Sequence, residues 1–416
     1  MENYTVVLFI LAIMIALSAV AEKFKFPYPI LLIVAGIAVG FSPSLHKIEI
    51  NPEIIFLIFL PPLLYDAAFN ISFKDFKTHI NTISTLAITL VFLTTLGIAV
   101  VARYLVPGMT WPLAFVLGAI LSATDAVAAM SITKGLGLSH KTNTILEGES
   151  LINDASALVA YRFAVAAVSG TAFVFWQASL DFVILLAGGV VVGTVMSRLI
   201  FLLKFIKQSS VTIISFLMLL PFITYLVAEE LHMSGVIAVV TLGLSIAFVS
   251  NKVFPEHLKS QSKNIWDIII FMLNGLIFIL IGLQFPYVLK NIPQDQIMPY
   301  LIYALLITVV TLLIRMLRVF TQRIGLQKAF SKNRGKISEE ALLDIRNSLV
   351  ISWSGMRGIV SLAIAIGLPY TLPDGSPFPL RNEIIFISVA VVLFTLLGQG
   401  LTLPWLVKKL SSKEDF

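Results

Sequence analysis

No cysteine occurs among the 416 residues, and only 12% of them are charged. The first absence excludes disulfides, zinc–thiolate centres and thiol nucleophiles, and it leaves the redox compartment unreadable. The second stands beside 58% hydrophobic residues and a mean hydropathy of +0.96. Together they exclude a soluble globular domain, in which about a quarter of residues carry charge. The chain reads as an all-α polytopic membrane protein. Histidine is sparse, and His46, His79, His140, His232 and His257 stand singly near segment ends, so they are not expected to form a metal site. A net charge of +6 would suit a nucleic-acid partner only if Lys and Arg clustered on one water-facing surface. They are dispersed between apolar runs, so no nucleic acid is expected, and no feature calls for a cofactor or an enzyme's catalytic centre.

A cleaved signal peptide is not expected either. Ala19-Val20-Ala21 follows an apolar run, but the leading residues carry Glu2 and neither Lys nor Arg, and a positive start defines such peptides.

What is present is a series of apolar runs. About 20 such residues cross the ~30 Å of hydrocarbon in a bilayer, and about thirteen segments qualify. They lie near 4–22, 28–44, 52–69, 81–103, 111–134, 142–168, 180–200, 210–229, 234–250, 265–285, 299–323, 346–368 and 383–407. Lys and Arg alternate with them: 22 fall in alternate loops and the tail, against Lys47, Arg103, Lys290 and Arg381 on the other side. That bias predicts an N-terminus outside and a C-terminus in the cytoplasm of a multi-pass cell-membrane protein. The connection 324–345 reads as a topology-setting cytoplasmic loop with helical character around Glu339 to Ile345.

An odd count divides as six, a linker and six, which inverts the second half relative to the first. The fifth and twelfth segments are then equivalents, and both are polar at mid-span. The fifth has Ser122-Ala123-Thr124-Asp125, and the twelfth has Ser352-Trp353-Ser354-Gly355-Met356-Arg357-Gly358. Interrupted segments at matching positions in two halves point to a transporter's binding site. Gly355 and Gly358 would ease a break, whereas no Gly or Pro stands beside Asp125.

A charge at membrane depth costs at least a few kcal/mol and so usually marks an ion or proton path. Glu147-Gly148-Glu149-Ser150-Leu151-Ile152-Asn153-Asp154 lies at such depth. On a helix Ser150 and Asp154 share a face, with Glu149 and Asn153 as a neighbouring pair. A hydroxyl and a carboxylate on one face are the oxygen ligands of a hard monovalent cation. Asp125 reads either as an ion ligand beside Thr124 or as a cap on the amides of a broken helix. Asp66, in Pro61-Pro62-Leu63-Leu64-Tyr65-Asp66, sits near a segment end, where water exposure is the simple explanation. Tyr65-Asp66 is also half of an intramembrane aspartyl-protease signature, but the partner Gly-x-Gly-Asp is absent. A lone buried Arg needs an anion, and Glu149 is the expected structural partner of Arg357. Arg162 lies nearer a membrane face, Glu229, Glu230 and His232 read as a solvated helix end, and Gly189 with Gly193 reads as a packing pair.

With Ala123-Thr124-Asp125 before it and Gly355-Met356-Arg357-Gly358 after it, the Glu147 to Asp154 run resembles the sodium/proton exchangers of the cation–proton antiporter superfamily, in their electroneutral branch. Pro61 to Asp66 is a fourth match, so the resemblance extends from the third segment to the end. Two departures are visible: Ala126 stands where exchangers often have Pro, and the large cytosolic tail of the animal members is missing, so tail-mediated regulation is not expected.

The resemblance implies thirteen helices as inverted six-helix repeats, with the fifth and twelfth crossing as broken helices. It implies a scaffold and dimerisation domain at 1–80 and 170–298, a core ion-transport domain at 81–169 and 299–410, and a short cytoplasmic tail at 411–416. Asp154 would carry sodium or the proton, Ser150 and Thr124 would supply oxygens to the sodium, and Asp125 and Asp66 would assist directly or through water. Asn153 and the Glu149–Arg357 pair would organise the site. The expected activity is electroneutral exchange of sodium or lithium for protons by a homodimer, serving pH homeostasis. A cation channel would show repeated rings of ligands, and a proton-coupled organic-anion symporter would need a larger polar cavity. The sequence has one asymmetric cluster.

Overall fold

The structure is a computed structural model that describes residues 3–24, 28–41, 52–133, 138–170, 175–202, 209–253, 255–332 and 339–411. Several expected loop charges (Lys25, Lys47, Lys134, Lys204, Lys207, Arg334 and Lys336) lie outside the described residues, as do residues 412–416 of the expected tail.

Among the described residues the apolar segments are helical over most of their length. The first three segments are α1 (Asn3–Phe24), α2 (Tyr28–Gly40) and α3 (Pro52–Asn70), and the short α4 (Phe73–Thr78) follows. The fourth segment, Ile80–Leu105, joins α5 (Ile80–Ser84) to α6 (Leu90–Leu105) through a widened π-helical stretch at Thr85–Thr89. The fifth is broken into α7 (Trp111–Ile120) and α8 (Ala126–Thr133), and the sixth is α9 (His140–Val168). Then come α10 (Phe175–Leu202), α11 (Ser210–Glu230), α12 (Gly235–Val253), α13 (Glu256–Lys290) and α14 (Gln294–Lys332). The twelfth segment is broken into α15 (Ile345–Trp353) and α16 (Ile359–Ile366), and α17 (Arg381–Ser411) is the thirteenth among the described residues. The connection after α14 holds one 3-10 turn at Glu339–Ala341.

Local chemistry sets several helix starts. The hydroxyls of Ser139 and Ser209 accept the amides of Thr142 and Thr212, and the Asp344 carboxylate accepts the amide of Asn347 at 2.6 Å, each satisfying an otherwise orphaned first-turn donor. Exposed Leu305, Val309, Leu313 and Leu317 form an i,i+4 stripe on α14. In lipid that stripe costs nothing, because hydrocarbon solvates it as well as a core would. Pro61, Pro62 and Pro221 lie inside helices, as membrane helices tolerate.

By packing, the chain forms two compact units. Unit 1 comprises Met1–Glu49, Asp75–Ser169 and Asn274–Phe416, and unit 2 comprises Ile50–Lys74 and Gly170–Leu273. In unit 2, α10 lies on α12 because Gly189 and Gly193 carry no Cβ. A Cβ at Gly189 would come within 2.8 Å of the Ser234 carbonyl oxygen, and one at Gly193 would strike that of Ala238. The Tyr65 ring packs against Trp266, with centroids 5.0 Å apart. In unit 1, α2 meets α13 through Gly36 and Gly282, and α6 meets α7 where Gly118 abuts the Thr95 carbonyl. α1 and α2 thus group with unit 1, and the Gly36–Gly282 approach joins two helices that both lie in the scaffold ranges expected from the sequence.

Candidate functional site

Within unit 1 the two broken segments meet at their unwound stretches. Past Ile120 the chain leaves the helix, and it resumes only at Ala126, so Thr124 and Asp125 lie in non-helical backbone although no Gly or Pro stands beside Asp125. The twelfth segment unwinds from Ser354 to Gly358. The Asp125 amide donates to the Met356 carbonyl at 2.9 Å. Arg357 Nη1 donates to the carbonyls of Ser122 and Ala123 at 3.0 and 3.2 Å, and Ser361 Oγ donates to that of Ala123 at 3.3 Å. A guanidinium thus answers the carbonyls, and the partial negative charge, left at the end of α7.

The Asp125 carboxylate does the converse. Its Oδ1 accepts the Ala128 amide at 3.0 Å and its Oδ2 accepts the Ile359 amide at 3.4 Å, so one side chain caps the first turns of both α8 and α16. Gly358 makes this geometry: its backbone is neither helical nor a regular strand conformation (φ −146°, ψ −141°), and a Cβ there would overlap the Asp125 carboxylate. Gly358→Ala is therefore expected to push Asp125 off the Ile359 amide. It should cut transport at least tenfold, with lost capping costing about 1 kcal/mol of stability. Thermal unfolding and transport assays on the same preparation would check both.

Helix α9 crosses beside this junction. Ser150 Oγ donates to the Thr124 carbonyl at 3.0 Å and accepts the Ala126 amide at 3.4 Å. The Asn153 amide donates to Thr124 Oγ1 at 2.6 Å, and Thr124 Oγ1 donates to Glu149 Oε1 at 3.1 Å. Asn153 Oδ1 is buried without a partner. Asp154, half-buried one residue on, has no hydrogen bond or ion pair to the described residues, and the charges that act on it are those of Asp125 and Glu149. The cluster is rich in oxygen acceptors, which favours hard cations over soft transition metals.

The model of the transmembrane region of sodium/hydrogen exchangers matches residues 8–409. The chain belongs to the sodium/hydrogen exchanger family. Among its relatives is the sodium, potassium, lithium and rubidium/H(+) antiporter of Bacillus pumilus, 37% identical over 98% of this chain and 62% of the relative. The Na(+)/H(+) antiporter ApNhaP of Aphanothece halophytica is 33% identical over 99% of this chain and 75% of the relative. The chain spans about three fifths of the length of the Bacillus relatives it matches. The sodium proton antiporter MjNhaP1 of Methanocaldococcus jannaschii superimposes with a TM-score of 0.73, at 20% identity and over 99% of both chains, and so shares the fold.

One expected contact in this chain is different. Glu149 does not pair with Arg357. Its carboxylate is engaged by Arg315 of α14, through Nη1 on Oε1 and through Nη2 on Oε2 at 2.8 Å, both side chains being 2% exposed. The third donor, Arg315 Nε, reaches the Ile351 carbonyl at 3.0 Å. The planar fork of one guanidinium saturates a carboxylate, and Gly355 makes room for it, since a Cβ there would overlap the Arg315 side chain. Arg357 sits in unwound chain opposite the end of α7 and is used by carbonyls instead.

Of the residues singled out in the sequence, Thr124, Asp125, Glu149, Ser150, Asn153 and Asp154 come together. Arg357 joins them through the carbonyls of Ser122 and Ala123. Asp66 belongs to unit 2, where Asn70 Nδ2 donates to its Oδ1 at 2.9 Å and the charges of Asp267 and Lys263 act on it. Arg315 was the functional residue missed.

Proposed function

We propose that this chain is a secondary antiporter that exchanges sodium or lithium for protons, one for one, with the two cargoes competing for Asp154. The observation that carries the reading is the state of the three acids. Asp125 is occupied by two helix amides and Glu149 by Arg315, while the half-buried Asp154 carboxylate has no partner among the described residues. A carboxylate taken from water favours its neutral form, reached by binding a proton or a cation. Ser150 Oγ and Thr124 supply neutral oxygens beside it, while Asn153, the Glu149–Arg315 pair and Arg357 hold the frame. Asp125 assists through position or water. The names of the Bacillus relatives include potassium and rubidium, which supports a monovalent-cation cargo.

Alternating exposure of Asp154 would come from a core (81–169 and 299–410) rocking against a scaffold (1–80 and 170–298) in a homodimer, with the N-terminus outside and the C-terminus cytoplasmic. The reading is tested by proteoliposome exchange under an imposed pH gradient with sodium, lithium and potassium offered in turn. Cation uptake that strictly requires counterflow of protons is expected. Uptake down the cation gradient without proton movement would instead mean a channel.

Stoichiometry follows from Asn153. An amide neither takes up nor releases a proton in the working pH range, so one acid exchanges one load and no net charge moves. Imposing a potential should then drive no sodium, although one net charge would couple at about 2.3 kcal/mol per 100 mV. Sodium driven uphill by a potassium–valinomycin potential, with no pH gradient, would contradict this.

A further inference from the structure

Helices α2 and α13 are apolar along their membrane lengths, yet each carries one polar side chain, and the two meet within unit 1. Tyr28 is the only hydrogen-bonding side chain from Tyr28 to Gly40, and Asn274 is the only one from Ile268 to Leu283. Asn274 is 3% exposed. Its amide nitrogen donates to the Tyr28 hydroxyl oxygen, whereas its Oδ1 is buried with no partner among the described residues. The Tyr28 ring is held edge-on against Phe278, one turn further along α13, with centroids 6.4 Å apart. Helical spacing sets Asn274, Phe278, Ile281 and Phe285 on one stripe, and Phe285 stacks on Phe386 of α17 at 5.5 Å between centroids. The stripe is therefore turned toward α17, which packs on α8 and α16 at the crossing. The charge that acts on Tyr28 is that of Asp125, in the unwound stretch between α7 and α8. A tie between helices would use only the donor half of the amide. Such bonds gain little in a membrane, and a buried oxygen left unpaired costs more than one of them returns.

We propose that Asn274 Oδ1 and the Tyr28 hydroxyl oxygen form a neutral-oxygen subsite for a partly hydrated alkali cation, within the field of the Asp125 carboxylate and on the route to Asp154. Neutral amide and hydroxyl oxygens suit a hard monovalent ion. The Asp125 carboxylate is capped by two amides but paired with no cation side chain among the contacts described above, so its charge favours a cation there over an anion. Two neutral oxygens replace part of a hydration shell without holding the ion tightly. It can then pass to Asp154, where a full charge is available.

The transport test rests on the exchange reading, and the binding test does not. Tyr28→Phe keeps the ring on Phe278 and removes only the hydroxyl, and Asn274→Leu removes the amide at similar volume. Tyr28→Phe carries the test if Asn274→Leu does not fold. Initial uptake of sodium, lithium and potassium into proteoliposomes would be measured against concentration at fixed pH. The KM for sodium should rise at least about fivefold in each variant, the size of one lost hydrogen-bond-scale contact. The maximal rate should fall by less, and the ratios of KM among the three cations should shift. A merely structural tie would lower the maximal rate and the unfolding temperature together. A KM for sodium and cation ratios at wild-type values would overturn the proposal. Binding would be read without transport, as the rise in unfolding temperature with sodium chloride over choline chloride. Half of that rise should need at least about fivefold more sodium in the variants, by the same loss of one contact. If the wild type exchanges nothing, the exchange reading fails and this titration decides the subsite. A sodium dependence that is absent, or unchanged in the variants, would overturn it.

Discussion

Asp154→Asn is expected to abolish sodium/proton exchange while the protein inserts and folds close to normally. The two halves of that expectation have different causes. Transport fails because an amide cannot be protonated or present a full negative charge to a cation. The fold survives because the carboxylate has no partner to strand among the described residues. It sits among the charges of Asp125 and Glu149, so neutralising it relieves repulsion, and an unfolding temperature at or above that of wild type is expected. Retained exchange at the wild-type rate would sink the assignment. Collapse of the fold would show that Asp154 is a structural acid.

The second large effect falls on the buried pair. Arg315→Ala removes the only ion-pair partner found for Glu149 among the described residues, and an unpaired buried charge costs roughly 3–5 kcal/mol. Both thermal stability and transport should drop sharply, because Glu149 also holds the Thr124 hydroxyl beside Ser150 and Asn153. Replacing both partners, Glu149→Gln with Arg315→Met, should recover part of the stability, since the stranded charge is gone. The same rescue attempted with Arg357→Met and Glu149→Gln should fail, because Arg357 would still be missing from the Ser122 and Ala123 carbonyls. Rescue by the Arg357 combination and not by the Arg315 combination would reverse the pairing drawn above.

The difference between these two arginines marks how far the sequence could be read. Thirteen segments were legible because each is long and apolar and because loop charges alternate. The Glu149 to Asp154 run was legible because intramembrane acids are costly and rare. The partner of Glu149 was not, although a signal existed. Of the 29 Lys and Arg, 26 fall to loops and tail, and the remainder are Arg162, Arg315 and Arg357. Arg315 stands deep in the apolar run 299–323 and has the same claim to an anion as Arg357. The choice between them depends on which guanidinium faces α9, and that is decided by helix packing and by the room at Gly355.

The break in the fifth segment shows a similar limit. Ala123-Thr124-Asp125 carries no helix breaker, and the stretch unwinds because its free groups are answered from the twelfth segment, by Met356, Arg357 and the amide of Ile359. Such compensation between chain segments more than two hundred residues apart leaves no local signature. Gly358 was legible as a helix-loosening residue, but its actual role is to leave space for the Asp125 carboxylate. For Asp125 the sequence leaves ligand and cap both open, and its two amide partners support the cap.

The central claim is that one carboxylate is shared by cation and proton, and proton release on cation binding tests it most directly. Purified wild-type protein in weakly buffered solution would be titrated with sodium chloride while pH is followed, with choline chloride as the control. The account predicts close to one proton released per sodium bound, on the acid side of the Asp154 transition, and none from Asp154→Asn. Sodium binding without proton release in the wild type, or equal release from Asp154→Asn, would contradict it.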